Sequence, residues 1–229
     1  MIIFLRKNTG WATVFLLSFL PVVIWVAVLP LQYRFFDLPT TMTSLGQVTG
    51  LVGMPMFSIS LILAARLKII DKYFSGLDKV YQNHHIIGAA SFSLLLFHPL
   101  FLVVRYIQLS LRDAALFFLP SFDWARNFGI VSLFLMIILM VLTFYIKLKY
   151  QHWKLSHKFL VFVFVFAVLH TFFVVSDVSR DNILRAYILG LAAIGLVAGF
   201  WRSFVVGDLN KNFDYEIINV TVLGAGIIE

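Results

Sequence analysis

The sequence predicts an all-α membrane protein, folded as a bundle of six transmembrane helices. Of its 229 residues, 61% are hydrophobic and only 13% are charged, so a water-soluble fold would have too few polar side chains to cover its surface. Six separate stretches also reach the roughly 20 mostly apolar residues that a helix needs to cross a bilayer. Cysteine is absent, which excludes disulfides, iron–sulfur clusters and cysteine-bound zinc.

The six predicted spans follow one another with short loops between them. They cover residues 11–31, 46–66, 84–105, 127–147, 157–176 and 183–203. The first span is longer than the apolar core of a cleaved signal peptide, which has about 7–15 residues. We therefore predict that it is a transmembrane helix.

The basic residues predict how the spans are oriented. In a six-span bundle both termini lie on one side, and that side holds twelve of the eighteen Lys and Arg residues, including every lysine. Because cytoplasmic loops are enriched in Lys and Arg, we predict a multi-pass protein of the cell membrane with both termini in the cytosol. The apolar spans make membrane lipid an expected partner. The sequence has no basic stripe with interleaved aromatic residues, so nucleic acid is not expected as a partner.

The composition changes after the sixth span. Residues 207–214 are polar and form a predicted linker, whereas residues 215–223 are rich in β-branched side chains, which is typical of a strand. Since a lone strand is not stable by itself, we expect the sequence to be part of a longer protein. The predicted domains are a cytosolic N-terminus (1–10), a helical transmembrane domain (11–206), and a linker with the first strand of a further domain (207–229).

The two glycines that follow the predicted strand, Gly224 and Gly226, could belong to a dinucleotide-binding loop. The third glycine and the helix of such a loop are missing from the sequence. A plain turn is therefore the prediction for this segment.

Four of the six histidines lie in only two of the predicted spans. His84 and His98 are about 21 Å apart along the third span, and His157 and His170 are about 20 Å apart along the fifth. These two spans run in the same direction, so each span has one histidine near the cytosolic face of the membrane and one near the outer face. Paired imidazoles at two levels are what two stacked, six-coordinate b-type haems require. Small residues such as Gly88, close to His84, would leave room for a porphyrin.

Helical angles test which histidines share a face. At about 100° per residue, His84 and His98 align to within about 40°, whereas His85 misses His98 by about 140°. His157 also misses His170 by about 140°, so the fifth span must tilt, supercoil or contain a bulge if both are ligands. His152 aligns with His170 but lies about 27 Å away from it. Helix geometry alone thus leaves both His152 and His157 open.

Two other functions of the histidines, in a transporter or in a zinc site, have less support in the sequence. A solute or proton transporter could line its path with histidines, although proton relays usually include buried carboxylates, and the six predicted spans contain no Asp or Glu. A histidine zinc site would need the two pairs to lie closer together than they do. Arg105 lies two turns beyond His98 on the same face. It is expected either to contact a haem propionate or an anionic acceptor, since its planar fork matches carboxylates, or to extend to lipid headgroups at the membrane surface. The sequence favours neither role.

Several segments carry motifs typical of one family of membrane proteins. They are residues 45–50 (LGQVTG), 64–66 (AAR), 84–88 (HHIIG), His98 with Pro99, Trp153 followed by His157 and His170, and 215–220 (YEIINV). Together these segments resemble the ferric reductase-like transmembrane family, which includes ferric-chelate reductases and NADPH oxidases.

The resemblance implies which residues hold which cofactor. His84 and His157 would bind the inner haem, and His98 and His170 the outer haem, so the family spacing favours His157 over His152. Arg66 and Gly88 match positions that would lie near the cofactors. Residues 215–220 look like the first strand of a cytosolic flavin-binding β-barrel.

The resemblance also implies a reaction. NAD(P)H and FAD in the cytosolic domain would supply electrons, and a ferric chelate or dioxygen outside the cell would accept them. Oxygen-reducing members have a second histidine one turn after the outer ligand of the third span, where this sequence has Leu102, which weighs against superoxide production. The haem subunit of periplasmic methionine sulfoxide reductase systems is a further alternative, but it has six spans without the barrel strand.

Overall fold

The computed structural model describes residues 9–108 and 110–206, together with the backbone of residues 222–224 and 227–228. Within these residues six helices are long and apolar enough to cross a membrane. The prediction of a helical bundle with six spans is therefore confirmed for the described part of the chain.

The described residues form eleven α-helices and one π-helix. In chain order they are α1 (Thr9–Val28), α2 (Leu31–Arg34), α3 (Leu38–Ala64), α4 (Lys68–Tyr73), α5 (Leu77–Ile107), α6 (Leu111–Phe117), α7 (Trp124–Phe144), α8 (Tyr150–Lys158), α9 (Leu160–Phe173), α10 (Asp177–Arg180), α11 (Asn182–Phe200) and the π-helix Trp201–Val205. Helices α1, α3, α5 and α7 are the first four spans. Helices α8 and α9 together form the fifth span, and α11 with the π-helix forms the sixth.

The second span begins earlier than the apolar pattern predicts, because a capping box starts it at Leu38. The backbone N–H of Thr40 donates to the Asp37 carboxylate over 2.8 Å, and the Asp37 N–H donates to the Thr40 hydroxyl over 3.1 Å. The hydrogen bonds from Thr40 also lower the pKa of Asp37. At its other end α3 stops before Arg66, whose φ of 56° is left-handed.

The third span also extends beyond its predicted limits. Helix α5 begins at Leu77, after Gly76 with a φ of 125°, a conformation that glycine adopts without steric cost. It continues through Pro99 to Ile107. A proline inside a helix removes one backbone hydrogen bond and favours a kink, so the helix is locally weakened directly after His98.

The fifth span is interrupted between its two histidines. Helix α8 ends at Lys158 and α9 begins at Leu160. The Phe159 N–H donates to the carbonyl of Ser156 over 3.1 Å, and the Phe162 N–H donates to the carbonyl of Phe159 over 2.9 Å. Both bonds connect residues three apart, as in a 3₁₀ turn, which winds more tightly than an α-helix. The sequence predicted that this span must deviate from a straight helix, and the interruption at Phe159 is such a deviation.

Helix α3 is the centre of the bundle. In its apolar window 61% of the residues are buried, compared with 17–28% in the other five spans. It packs against α1, α5 and α11. Close approach to α11 depends on Gly195, since a Cβ atom there would lie 2.9 Å from the Cα of Ser58.

A buried ion pair joins the connectors at one end of the bundle. An Nη atom of Arg34, which is only 3% exposed, lies 2.7 Å from the Asp177 carboxylate. The Arg34 guanidinium stacks on the Trp25 ring at 3.6 Å from its centroid, and the Trp25 indole N–H donates to the same carboxylate over 2.9 Å. These contacts attach α2 and the end of α1 to α10.

The predictions for the C-terminal segment fall mostly outside the described residues. The structure describes two short strands there, β1 (Val222–Gly224) and β2 (Ile227–Ile228), which pair antiparallel with Val222 opposite Ile228. The predicted linker at 207–214, residues 215–221 of the predicted strand, and Gly226 lie outside the described part of the chain. The flavin-binding barrel therefore stays a prediction.

Candidate functional site

Four histidines from two spans form two pairs in the structure. The ring centroids of His84 and His157 are 6.1 Å apart, and those of His98 and His170 are 6.4 Å apart. Each pair joins α5 to the fifth span, one pair towards each end of these helices. The spacing in the sequence predicted two levels of paired histidines, and the family resemblance implied His157 rather than His152 as the partner of His84.

The distances within the pairs fit two imidazoles that bind opposite sides of one metal ion. A metal–imidazole nitrogen bond is about 2 Å long, and the ring centroid lies about 1 Å behind that nitrogen, so the two centroids should be about 6 Å apart. The part of the chain that the structure describes has no cluster of three or more His, Cys, Asp or Glu residues that could hold a metal ion. The pairs thus suit an ion whose remaining ligands come from a cofactor such as haem.

Backbone carbonyls orient both rings of the His98–His170 pair. The Nδ1 atom of His98 lies 2.7 Å from the carbonyl oxygen of Gly46, and that of His170 lies 2.8 Å from the carbonyl oxygen of Ala125. A carbonyl oxygen only accepts hydrogen bonds, so each Nδ1 must carry the proton. The Nε2 atom of each ring is then left unprotonated, as metal binding requires.

The His84–His157 pair is held in a less symmetric way. The Nδ1 atom of His84 lies 2.9 Å from the carbonyl oxygen of Ser60 and donates to it. The Nδ1 atom of His157 is buried and has no hydrogen-bond partner among the described residues. Its ring stacks on Trp153 instead, with centroids 5.4 Å apart and an interplanar angle of 10°. Packing therefore orients His157, whereas a hydrogen bond orients His84.

Two glycines leave the space that the rings of His98 and His170 occupy. A Cβ atom at Gly50 would lie 2.9 Å from Nδ1 of His98, and one at Gly129 would lie 2.8 Å from Nδ1 of His170. Such contacts are too close for any side chain, so both positions require glycine as long as the rings keep these positions. Neither residue was predicted from the sequence, because each lies on a span that carries no histidine.

Two other predicted site residues, Gly88 and Arg66, lie at the end of the bundle that holds His84. A Cβ atom at Gly88 would meet only the Ser60 hydroxyl, at 3.2 Å, so Gly88 lies beside the residue that orients His84. Arg66 is exposed, and its guanidinium lies 4.8 Å from the ring centroid of Tyr81, three residues before His84.

Three further residues considered in the sequence are exposed. His85 adjoins His84 with a centroid distance of 5.6 Å but points to the surface. His152 is exposed in α8, and Arg105 is exposed near the end of α5. Neither His85 nor His152 belongs to one of the two pairs.

An apolar cluster fills the space near the middle of the fifth span. Met136, Met140, Leu160 and Val163 are its buried members, and Phe92 and Leu95 of α5 are among the residues that pack against it. Of the four phenylalanines between His157 and His170, Phe164 is fully buried, and its ring centroid lies 4.7 Å from that of Phe57 at an interplanar angle of 48°. The described side chains of these spans between the two pairs are therefore mainly apolar.

Comparison with known proteins gives one family. The family model described as ferric reductase like transmembrane component matches residues 49–168, which is slightly more than half of the chain. The matched segment contains His84, His98 and His157, and it ends two residues before His170. No curated protein matches the chain.

Proposed function

Since the chain belongs to the ferric reductase-like transmembrane family, we propose that it transfers electrons across the cell membrane through two bis-histidine haems. The family as a whole consists of oxidoreductases that transfer electrons across membranes. The observation that carries the proposal is the presence of two imidazole pairs, with centroid distances of 6.1 and 6.4 Å, at two levels of the same two spans.

His84 and His157 would hold the inner haem, and His98 and His170 the outer haem. Bound haem supplies an iron that accepts and releases one electron at a time. The protein positions each pair of rings and keeps water away from the apolar space between them. Axial ligands, their hydrogen bonds and burial are the means by which the chain would tune the two potentials.

The inner haem would lie on the cytosolic side, with both termini. The support is the distribution of basic residues, since all lysines of the sequence belong to that side of a six-span bundle. Electrons would come from NAD(P)H through FAD in a cytosolic domain that begins within residues 207–229. The residues before it, 11–206, form the haem domain, and residues 1–10 the cytosolic N-terminus.

The acceptor would bind outside, at the His98–His170 end. We favour a ferric chelate over dioxygen, because Leu102 stands one turn after His98. Its apolar side chain packs against α3, where a Cβ atom at Gly46 would lie only 2.7 Å from it. Leu102 has no polar group that could bind a reduced oxygen species.

Haem content tests the proposal. The purified chain should contain close to two b-type haems in a pyridine haemochrome assay, and a reduced-minus-oxidised spectrum should show low-spin haem. The double variant His98→Ala, His170→Ala serves as the matched control and should retain one haem. A colourless wild-type protein would favour the transporter alternative, and a single haem in the wild type would contradict the four-ligand assignment.

A further inference from the structure

Arg126 lies on the turn of α7 that surrounds the outer ligand His170. The carbonyl of Ala125 accepts a hydrogen bond from His170 over 2.8 Å, and Gly129 leaves space for the same ring. Arg126 stands between these two residues in the first turn of the helix. Its own backbone N–H donates to the capping carboxylate of Asp123 over 3.2 Å.

The helical position of Arg126 places it on the same face of α7 as Leu133. Leu133 follows seven residues later, which is two turns with an offset of about 20°. Leu133 packs against the apolar cluster around Met136 and Val163, and so do Phe92 and Leu95 of α5. Arg126 therefore lies on the face of α7 that looks into the space between the helices that carry the histidines.

The guanidinium of Arg126 has an unsatisfied donor in that position. Its Nε atom is buried and has no hydrogen-bond partner among the described residues. Among the described residues the two salt bridges are both made by Asp177, and neither involves Arg126. A buried donor without an acceptor is costly, and the planar fork of arginine, with Nε and an Nη atom side by side, matches the two oxygens of a carboxylate.

We propose that Arg126 binds a carboxylate next to the His98–His170 pair, at the outer end of the space between α5 and the fifth span. The carboxylate can come from a propionate of the outer haem or from an anionic acceptor such as ferric citrate. This inference rests on the proposed haem function and deepens it. It assigns to Arg126 the part that the sequence suggested for Arg105, which is exposed.

The test compares three variants of the full chain, Arg126→Gln, Arg126→Lys and the outer-side control Arg105→Gln. Haem content is measured first, and both midpoint potentials are then determined by a spectroscopic redox titration with chemical mediators. The dithionite-reduced protein is finally mixed in stopped flow with ferric citrate or with a neutral quinone, and reoxidation is followed by absorbance.

The two sources of the carboxylate give different results. If it is a propionate, one of the two midpoint potentials falls in Arg126→Gln, because the lost positive charge had favoured the reduced haem, and Arg126→Lys recovers most of the shift. If it belongs to the acceptor, both potentials stay unchanged and reoxidation by ferric citrate slows about tenfold or more, since a charge-assisted pair is lost. Reoxidation by the neutral quinone is then unaffected.

Other outcomes overturn the inference. If the wild type holds two haems and Arg126→Gln has the same potentials and reoxidation rates as Arg105→Gln and the wild type, the inference fails and the proposed function stands. Loss of a haem in Arg126→Gln but not in Arg126→Lys supports a charge contact, whereas equal loss in both variants assigns Arg126 to folding. A wild-type protein without haem fails the proposed function itself.

Discussion

Three histidines of the candidate site depend on a neighbour from another helix, and His157 depends on a neighbour from its own helix. His98 and His170 donate to the carbonyls of Gly46 and Ala125, whereas His157 is oriented by stacking on Trp153. A hydrogen bond at Nδ1 makes an imidazole a stronger metal ligand. His157 has no such partner among the described residues, so it should be the weakest of the four ligands.

Substitution of single histidines should separate the ligands from their neighbours. His84→Ala and His157→Ala should each remove one haem, because each leaves the inner iron with one protein ligand. His85→Ala and His152→Ala are matched controls, since both side chains are exposed, and their haem spectra should stay close to the wild type. Loss of a haem in His152→Ala would show that His152, and not His157, is the inner ligand of the fifth span.

At the scale of the helices, connectors and interruptions set the positions of the spans. The irregular turn at Phe159 divides the fifth span into α8 and α9. At the opposite end the buried pair of Arg34 and Asp177 ties α2 to α10. Asp177 lies seven residues after His170, so this pair also restrains the chain that follows His170.

The two salt bridges of Asp177 should differ widely in their effect on stability. Asp177→Asn leaves the Arg34 charge buried and unpaired, which should cost about 3–5 kcal/mol. Arg180→Gln removes only the 3.9 Å contact of a side chain that is 71% exposed, which should cost less than about 1 kcal/mol. Thermal melting in detergent measures both, and similar small shifts would show that the Arg34 pair contributes little.

For the whole molecule, a single buried helix organises the bundle. Helix α3 contacts α1, α5 and α11, and through the carbonyls of Gly46 and Ser60 it also orients one histidine of each pair. The two pairs are therefore held at fixed levels by the same helix. A protein that moves electrons between two fixed centres needs this kind of rigid spacing.

Labelling of introduced cysteines tests the topology. The chain contains no cysteine of its own, so each introduced one gives an unambiguous signal. Cysteines at Lys72 and Lys149 should react with an impermeant maleimide only from the cytosolic side, and a cysteine at Asp113 only from outside. Labelling of Lys72 and Asp113 positions from the same side would contradict the six-span count.

Much of the fold could be predicted because composition and helical period act along the chain. The six spans follow from apolar stretches of membrane length, and two levels of paired histidines follow from similar spacing on two parallel spans. The choice of His157 over His152 came from the family resemblance. The limits of the spans could not be predicted as well. The capping box at Asp37 starts α3 outside the apolar stretch, and the third span extends through polar residues from Leu77.

The sequence by itself determined the membrane helices, the paired histidines and the family that they resemble. Only the tertiary structure decided which residues surround each ring, because those contacts join helices that are distant in the chain. Gly129 and Ala125 of α7 lie against His170 of α9, and no local sequence pattern marks them. The same reason explains the two arginines: a helical wheel aligned Arg105 with His98, but the packing of α7 against α9 places the turn that carries Arg126 next to His170, while Arg105 is exposed.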